Sequence, residues 1–130
     1  MERHPFRLAV EADDRDAITA LLHEDVEFRS PAVHRPYRGR AVVAHLLSHA
    51  KDTLVGLTYL DELRGEGTLA LVFTARVGDR DVEGLDHLTF DDQGLITTFR
   101  VMIRPLSGLI ATAQAMGARL ETDPGPTAAQ

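Results

Sequence analysis

Apolar residues recur along this chain at two different periods, and the switch between them divides it. Behind Pro5, the residues Phe6, Ala9 and Val10 follow at helical spacing. Proline suits a first helical turn because its missing N–H would have no partner there. Asp13-Asp14-Arg15-Asp16 then supplies N-cap side chains and first-turn acids for a second helix. Ile18, Leu21 and Leu22 form its apolar stripe, and it is predicted to end near His23. From Val26 the period falls to two: Val26, Phe28 and Ser30 share one face, with Glu27 and Arg29 on the other, until Pro31 interrupts a short half-buried strand. Arg35 to Arg40 reads as an extended connection with a glycine turn, and Val42, Val43, Leu46, Leu47 and Ala50 mark a third helix.

Strands dominate the remainder: Leu57 to Leu63, Leu69 to Val77, Val82 to Phe90 and Ile96 to Arg104. The short turns Gly65-Glu66-Gly67, Gly78-Asp79-Arg80 and Asp91-Asp92-Gln93-Gly94 between them imply an antiparallel meander. Leu106, Leu109, Ile110, Ala113 and Met116 predict a closing helix. Gly108 and Gly117 count against it and leave a strand continuation as the alternative. Residues 1–120 are expected to form a single domain, and Glu121 to Gln130, rich in Pro, Gly, Thr and Ala, a disordered or loosely docked tail.

Helices gathered before a long antiparallel sheet define an α+β layer fold, and a curved sheet can enclose a cavity between its concave face and those helices. The strand from Leu69 is apolar on both faces, with Ala70, Val72 and Thr74 opposite Leu71, Phe73 and Ala75. If helices cover the concave side, a second copy of the chain is the simplest cover for the convex side, so a homodimer is expected.

Composition narrows the functional classes. A chain of 130 residues holds one core and excludes separate cofactor and substrate lobes. A net charge of -6 offers no positive field for phosphates, so nucleic acid is not an expected partner. The absence of cysteine removes disulfides, thiolate nucleophiles and thiolate metal sites. No signal-like or membrane-spanning run occurs, which makes a cytoplasmic protein the expectation.

One carboxylate breaks the apolar pattern. In the strand Val82 to Phe90, Asp86 shares a face with Val82, Gly84, Leu88 and Phe90, whereas Glu83, Leu85, His87 and Thr89 point the other way. Facing the interior, Asp86 would have its pKa raised by desolvation and would serve as a hydrogen-bond donor or acid near neutral pH. An Asp satisfied by a backbone or tyrosine donor is the alternative.

Gly84 to Ile96, together with Ala12 to Ile18, the Ser30-Pro31 step and Gly39-Arg40, resembles the SnoaL-like and ketosteroid-isomerase-like branch of the nuclear transport factor 2-like superfamily. The resemblance runs from about Pro5 to Leu106. It implies a cone-shaped α+β fold, a curved antiparallel sheet around an interior pocket, and commonly a dimer through the sheet. Ketosteroid isomerases carry an acidic oxyanion-hole residue in this strand, and Asp86 matches it. Where the family's general-base aspartate precedes a proline, this chain has Ser30; where its oxyanion tyrosine sits in the first helix, this chain has Phe6. Serine does not abstract a carbon-bound proton without a base of its own, and phenylalanine donates no hydrogen bond, so steroid isomerisation by that mechanism is not expected. The epoxide-hydrolase constellation of an Arg and two Asp is not visible either, because Gly84 stands two before Asp86.

His34, in the connection after Ser30, is a candidate base, with a solvent-facing loop histidine as the alternative. His45 and His49 are four apart on the third helix, a spacing that suits one metal ion, but the sequence offers no third ligand nearby, so neither metal nor cofactor is expected. His4 and His23 carry no motif. Phe6, Phe28, Ser30, Tyr59, Phe73, Phe99 and Ile103 are candidate ligand-binding positions, with Val26 beside them; for the apolar ones core packing is the alternative. The expectation is a protein that holds a small apolar molecule, as an isomerase, cyclase or dehydratase with Asp86 as acid and His34 or water as base, or as a noncatalytic carrier, sensor or dimerisation module.

Overall fold

The structure, a computed structural model, describes residues 2–127. The chain opens with α1 (Pro5–Glu11), whose N-terminus is capped by His4: its Nδ1 accepts from the Phe6 N–H at 3.0 Å. Asp14 caps α2 (Arg15–Ala20) in the expected way, accepting from the Ala17 N–H at 3.1 Å. That helix stops earlier than its apolar stripe suggests. Leu22 already belongs to β1 (Leu22–Arg29), which also takes in His23, because the Leu21 carbonyl accepts from the Ile96 N–H at 2.7 Å and Leu22 pairs with Ile96. Pairing with a distant strand overrides the local helical period.

A two-residue strand, β2 (Tyr37–Arg38), lies on β1 where an extended connection was expected. After it come α3 (Arg40–Thr53), β3 (Val55–Gly65), β4 (Thr68–Val77), β5 (Arg80–Phe90), β6 (Ile96–Arg104) and α4 (Leu106–Thr122). The six strands make one open sheet in the order β2-β1-β6-β5-β4-β3, antiparallel throughout except for the parallel pair β1 and β6. Register shifts in the β1–β6, β3–β4 and β5–β6 pairs bend it, as bulges do, so that one face is concave.

The predicted alternation holds along β4 and β5. Leu69, Leu71, Phe73, Ala75 and Val77 are buried on the concave face with Val82, Gly84, Asp86 and Leu88, while Ala70, Val72, Leu85 and His87 on the convex face are half-buried. Helices α1, α2 and α3 fill the cone. Glu62 of β3 fastens α1 to the sheet: it accepts from the His4 N–H at 3.2 Å, pairs with Arg7 at 3.4 Å and with Arg64 at 2.6 Å. The closing helix forms in full, which sets aside the strand alternative. Gly108 is the reason it lies close to the sheet, since the Val82 side chain and the Asp81 carbonyl occupy the space a Cβ would need. The helix runs to Thr122, beyond the tail boundary expected at residue 121, and Asp123 touches α3. Of the expected tail, residues 128–130 lie outside the described part. Among the described residues no helix is long and apolar enough to cross a membrane.

The Phe73 ring lies against Gly84, its cross-strand partner, where a Cβ would overlap three ring carbons. Gly84→Ala is therefore expected to lower the unfolding free energy by about 1–3 kcal/mol, the usual scale of overpacking. Urea denaturation measures this; an unchanged midpoint would show that the ring has another place to go.

Candidate functional site

Inside the cone lies a cavity of about 120 Å³. Phe6 and Val10 of α1, Ile18 of α2 and Leu47, Ala50 and Lys51 of α3 form one side of it. Tyr59, Phe73, Asp86, Phe99, Val101 and Ile103 from β3 to β6 form the other, and Leu109, Thr112, Ala113 and Met116 of α4 close the end. Aromatic contacts fix the wall: Phe99 meets Phe6 edge-on at 5.4 Å and Phe28 at 5.5 Å, and Tyr59 meets Phe73 edge-on at 6.5 Å.

Few polar groups interrupt this lining. Thr112 spends its hydroxyl on the Gly108 carbonyl at 2.8 Å. Asp86, 7% exposed, has no hydrogen-bond partner among the described residues, and burial pushes its carboxyl up to about 7. No charge among the described residues offsets that burial, so the neutral acid is the form this environment favours. Tyr59 is also buried, and its hydroxyl likewise has no partner among the described residues. Burial, and next the charge of Asp86, push the phenol well above its usual range, so it stays a donor. Arg7 stands over the Tyr59 ring at 5.7 Å. Lys51, the single lysine of the chain, lines the cavity with no ion pair among the described residues. The site thus presents two hydrogen-bond donors on the sheet and one ammonium group on α3, in otherwise apolar surroundings.

The structure brings together Phe6, Phe28, Tyr59, Phe73, Asp86, Phe99 and Ile103 on this one cavity. It places Ser30 and His34 elsewhere, in a neighbouring groove with Arg29 and Arg100 that shares Pro31, Val101 and Ile103 with the cavity. Ser30 caps the turn after β1, accepting from the Ala32 N–H at 3.0 Å, and His34 is exposed. Val26 is fully buried in the core and does not reach the cavity. His87 points to the convex face, as alternation requires, with its Nδ1 3.5 Å from Arg100 Nη1. Lys51 and the α4 lining escaped the sequence reading, because a half-buried lysine and a glycine-containing helix carry no signal of their own.

This architecture has counterparts. Residues 3–99 match the SnoaL-like domain, and the chain belongs to that family. A steroid delta-isomerase from Pseudomonas aeruginosa is 38% identical, with a TM-score of 0.87 over 90% of this chain and 87% of that one. An uncharacterised protein with a cystatin-like fold from Silicibacter pomeroyi is 34% identical, with a TM-score of 0.87 over 92% of this chain and 85% of that one. A nuclear transport factor 2-like protein from Burkholderia xenovorans, at 22% identity and a TM-score of 0.63 over 86% and 90% of the two chains, shares the fold. No curated protein matches the chain.

The raised carboxyl makes stability depend on pH with a definite sign. Between its ordinary pKa of 3.8 and its folded value of about 7, the folded state keeps a proton that the unfolded state releases. The stability associated with the neutral form is complete below the lower value, is lost as pH rises, and is gone above about 7. The full loss is on the order of 4 kcal/mol. Asp86→Asn should flatten this slope and leave the variant more stable than the parent above neutral pH. Urea denaturation across the pH range checks it; equal slopes for both proteins would mean that Asp86 is ionised in the folded state.

Proposed function

We propose that the chain holds a small, mostly apolar carbonyl compound in its cone, with the neutral Asp86 acid and the Tyr59 hydroxyl donating hydrogen bonds to the carbonyl oxygen. The observation that carries this reading is Asp86, a buried acid on the wall of an apolar cavity without a partner among the described residues. Unpaired buried donors are costly, and an acceptor on a ligand removes that cost. The cavity is on the scale of those that admit a benzene-sized molecule, so a ligand of about one ring is favoured. The likeness to a protein named a steroid delta-isomerase supports a cyclic ketone.

In an enzymatic cycle Asp86 would strengthen its hydrogen bond as negative charge develops on the carbonyl oxygen, which suits an isomerisation, cyclisation or dehydration. A second reading, a carrier or sensor without turnover, is favoured by the cavity wall itself. Among the described residues Asp86 is its only carboxylate or imidazole, and His34 lies in the adjoining groove, so any base would be water. In either role we place a second copy of the chain on the convex face, where Leu63 and Met102 are exposed beside the half-buried Val72 and Leu85.

Binding of cyclic ketones and enones, followed by calorimetry, should be tighter below about pH 7 than above it. Asp86→Asn should abolish that pH dependence, and Tyr59→Phe should weaken binding by about two- to tenfold, the worth of one net hydrogen bond. Affinity that ignores pH in the parent would contradict the role of Asp86. Product formation lost in Asp86→Asn would identify an enzyme, and binding without product a carrier. Native mass spectrometry should find twice the 14.3 kDa chain mass. Leu85→Arg should return the single chain, and a parent that stays at that mass would remove the dimer.

A further inference from the structure

We propose that His45, His49 and Asp123 form a Zn²⁺ site that fastens the end of α4 to α3. The two histidines stand one turn apart on α3, and Asp123 is the residue that ends α4. One ligand atom from each lies within 4.8 Å of the others. His49 Nε2 is 2.9 Å and His45 Nε2 3.9 Å from the same Asp123 carboxylate oxygen, Oδ2. Ligands about 2.05 Å from a tetrahedral zinc ion stand roughly 3.3 Å apart, so these two separations bracket the required distance. Side-chain rotation supplies the remaining adjustment.

The donor set suits the ion, since two imidazoles and a carboxylate are common zinc ligands and leave a fourth position for water. Access is open on the Asp123 side, whose side chain is 61% exposed, whereas those of His45 and His49 are 18% and 15% exposed. The chain beyond α4 is shaped to the cluster. The His45 ring lies where a Cβ at residue 125 would be, and Gly125, at a φ of 71°, lets the backbone pass there. Neither histidine lines the cavity, but Leu47 and Lys51 on α3 and Thr112 and Met116 on α4 do. The ion would therefore hold together two helices that enclose the cavity. Other polar links between them among the described residues are weak: Thr53 Oγ1 meets the poor acceptor Met116 Sδ at 3.4 Å, and Arg119 Nη2 reaches the Asp52 carbonyl at a long 3.4 Å. This inference stands independently of what the cavity binds.

Tautomer chemistry sets the expected strength. In the metal-free protein both Nε2 atoms face oxygens of Asp123, His45 reaching its carbonyl at 2.8 Å, so each neutral ring carries its proton on Nε2. Zinc takes those positions and moves the protons to Nδ1. His49 Nδ1 is buried without a partner among the described residues, so the bound form carries an unpaired N–H there, which lowers the affinity.

Titration of the untagged full chain with ZnCl₂ by calorimetry, with thermal unfolding alongside, tests the site. One zinc ion per chain is expected, with a higher melting temperature. Removing even the outer hydrogen-bond partners of metal ligands costs about 10–100-fold in affinity, so Asp123→Ala and His49→Ala should each cost at least tenfold. Asp123 is exposed, so its variant keeps the fold, which metal-free melting verifies. No saturable uptake at micromolar zinc, or uptake unchanged in both variants, would overturn the site. Amide exchange in α4 should slow when zinc is bound; zinc uptake with unchanged exchange there would overturn the fastening role.

Discussion

A carboxylic acid without a partner among the described residues, set in the row of side chains that a bent sheet turns inward, is the constraint on which the character of the cavity depends. Period-two alternation along β5 leaves Asp86 no other direction, because Val82, Gly84 and Leu88 in the same row are committed to the core. An isolated carboxylate there would be expensive to bury, and the group answers by holding its proton. The usual polarity of an acid is thereby reversed, from acceptor of hydrogen bonds to donor.

The surrounding elements make room for that donor in apolar surroundings. Gly84 makes room for the outer end of the Phe73 ring, and Gly108 brings α4 down onto β5. Between these two close approaches remains an apolar space bounded by four helices and the sheet, with Tyr59 as a second donor on the same face. Phe6 of α1 carries no hydroxyl, so the second donor on the cavity wall comes from β3.

Much of this was legible in the residues. The change of period located the helices and the meander, and alternation alone aimed Asp86 inward and His87 outward. Contacts between distant segments were not legible. Leu21, Leu22 and His23 continue a helical stripe, yet Ile96 draws them into the sheet. His4 is not a customary capping residue, and its role emerges only from the geometry of its ring nitrogen. Gly108 weakens a helix by propensity, but the nearness of Val82 outweighs that small term. The sequence showed His45 and His49 at a metal-binding spacing, and their carboxylate neighbour arrives from 74 residues beyond His49.

The protonation state of Asp86 is the most direct test of the account. A carbon-13 NMR titration of its side-chain carboxyl in the ligand-free protein should give a midpoint near 7. A midpoint near 3.8, the ordinary value, would mean an ionised and solvated or paired carboxylate, and would contradict the donor role on which the site is built.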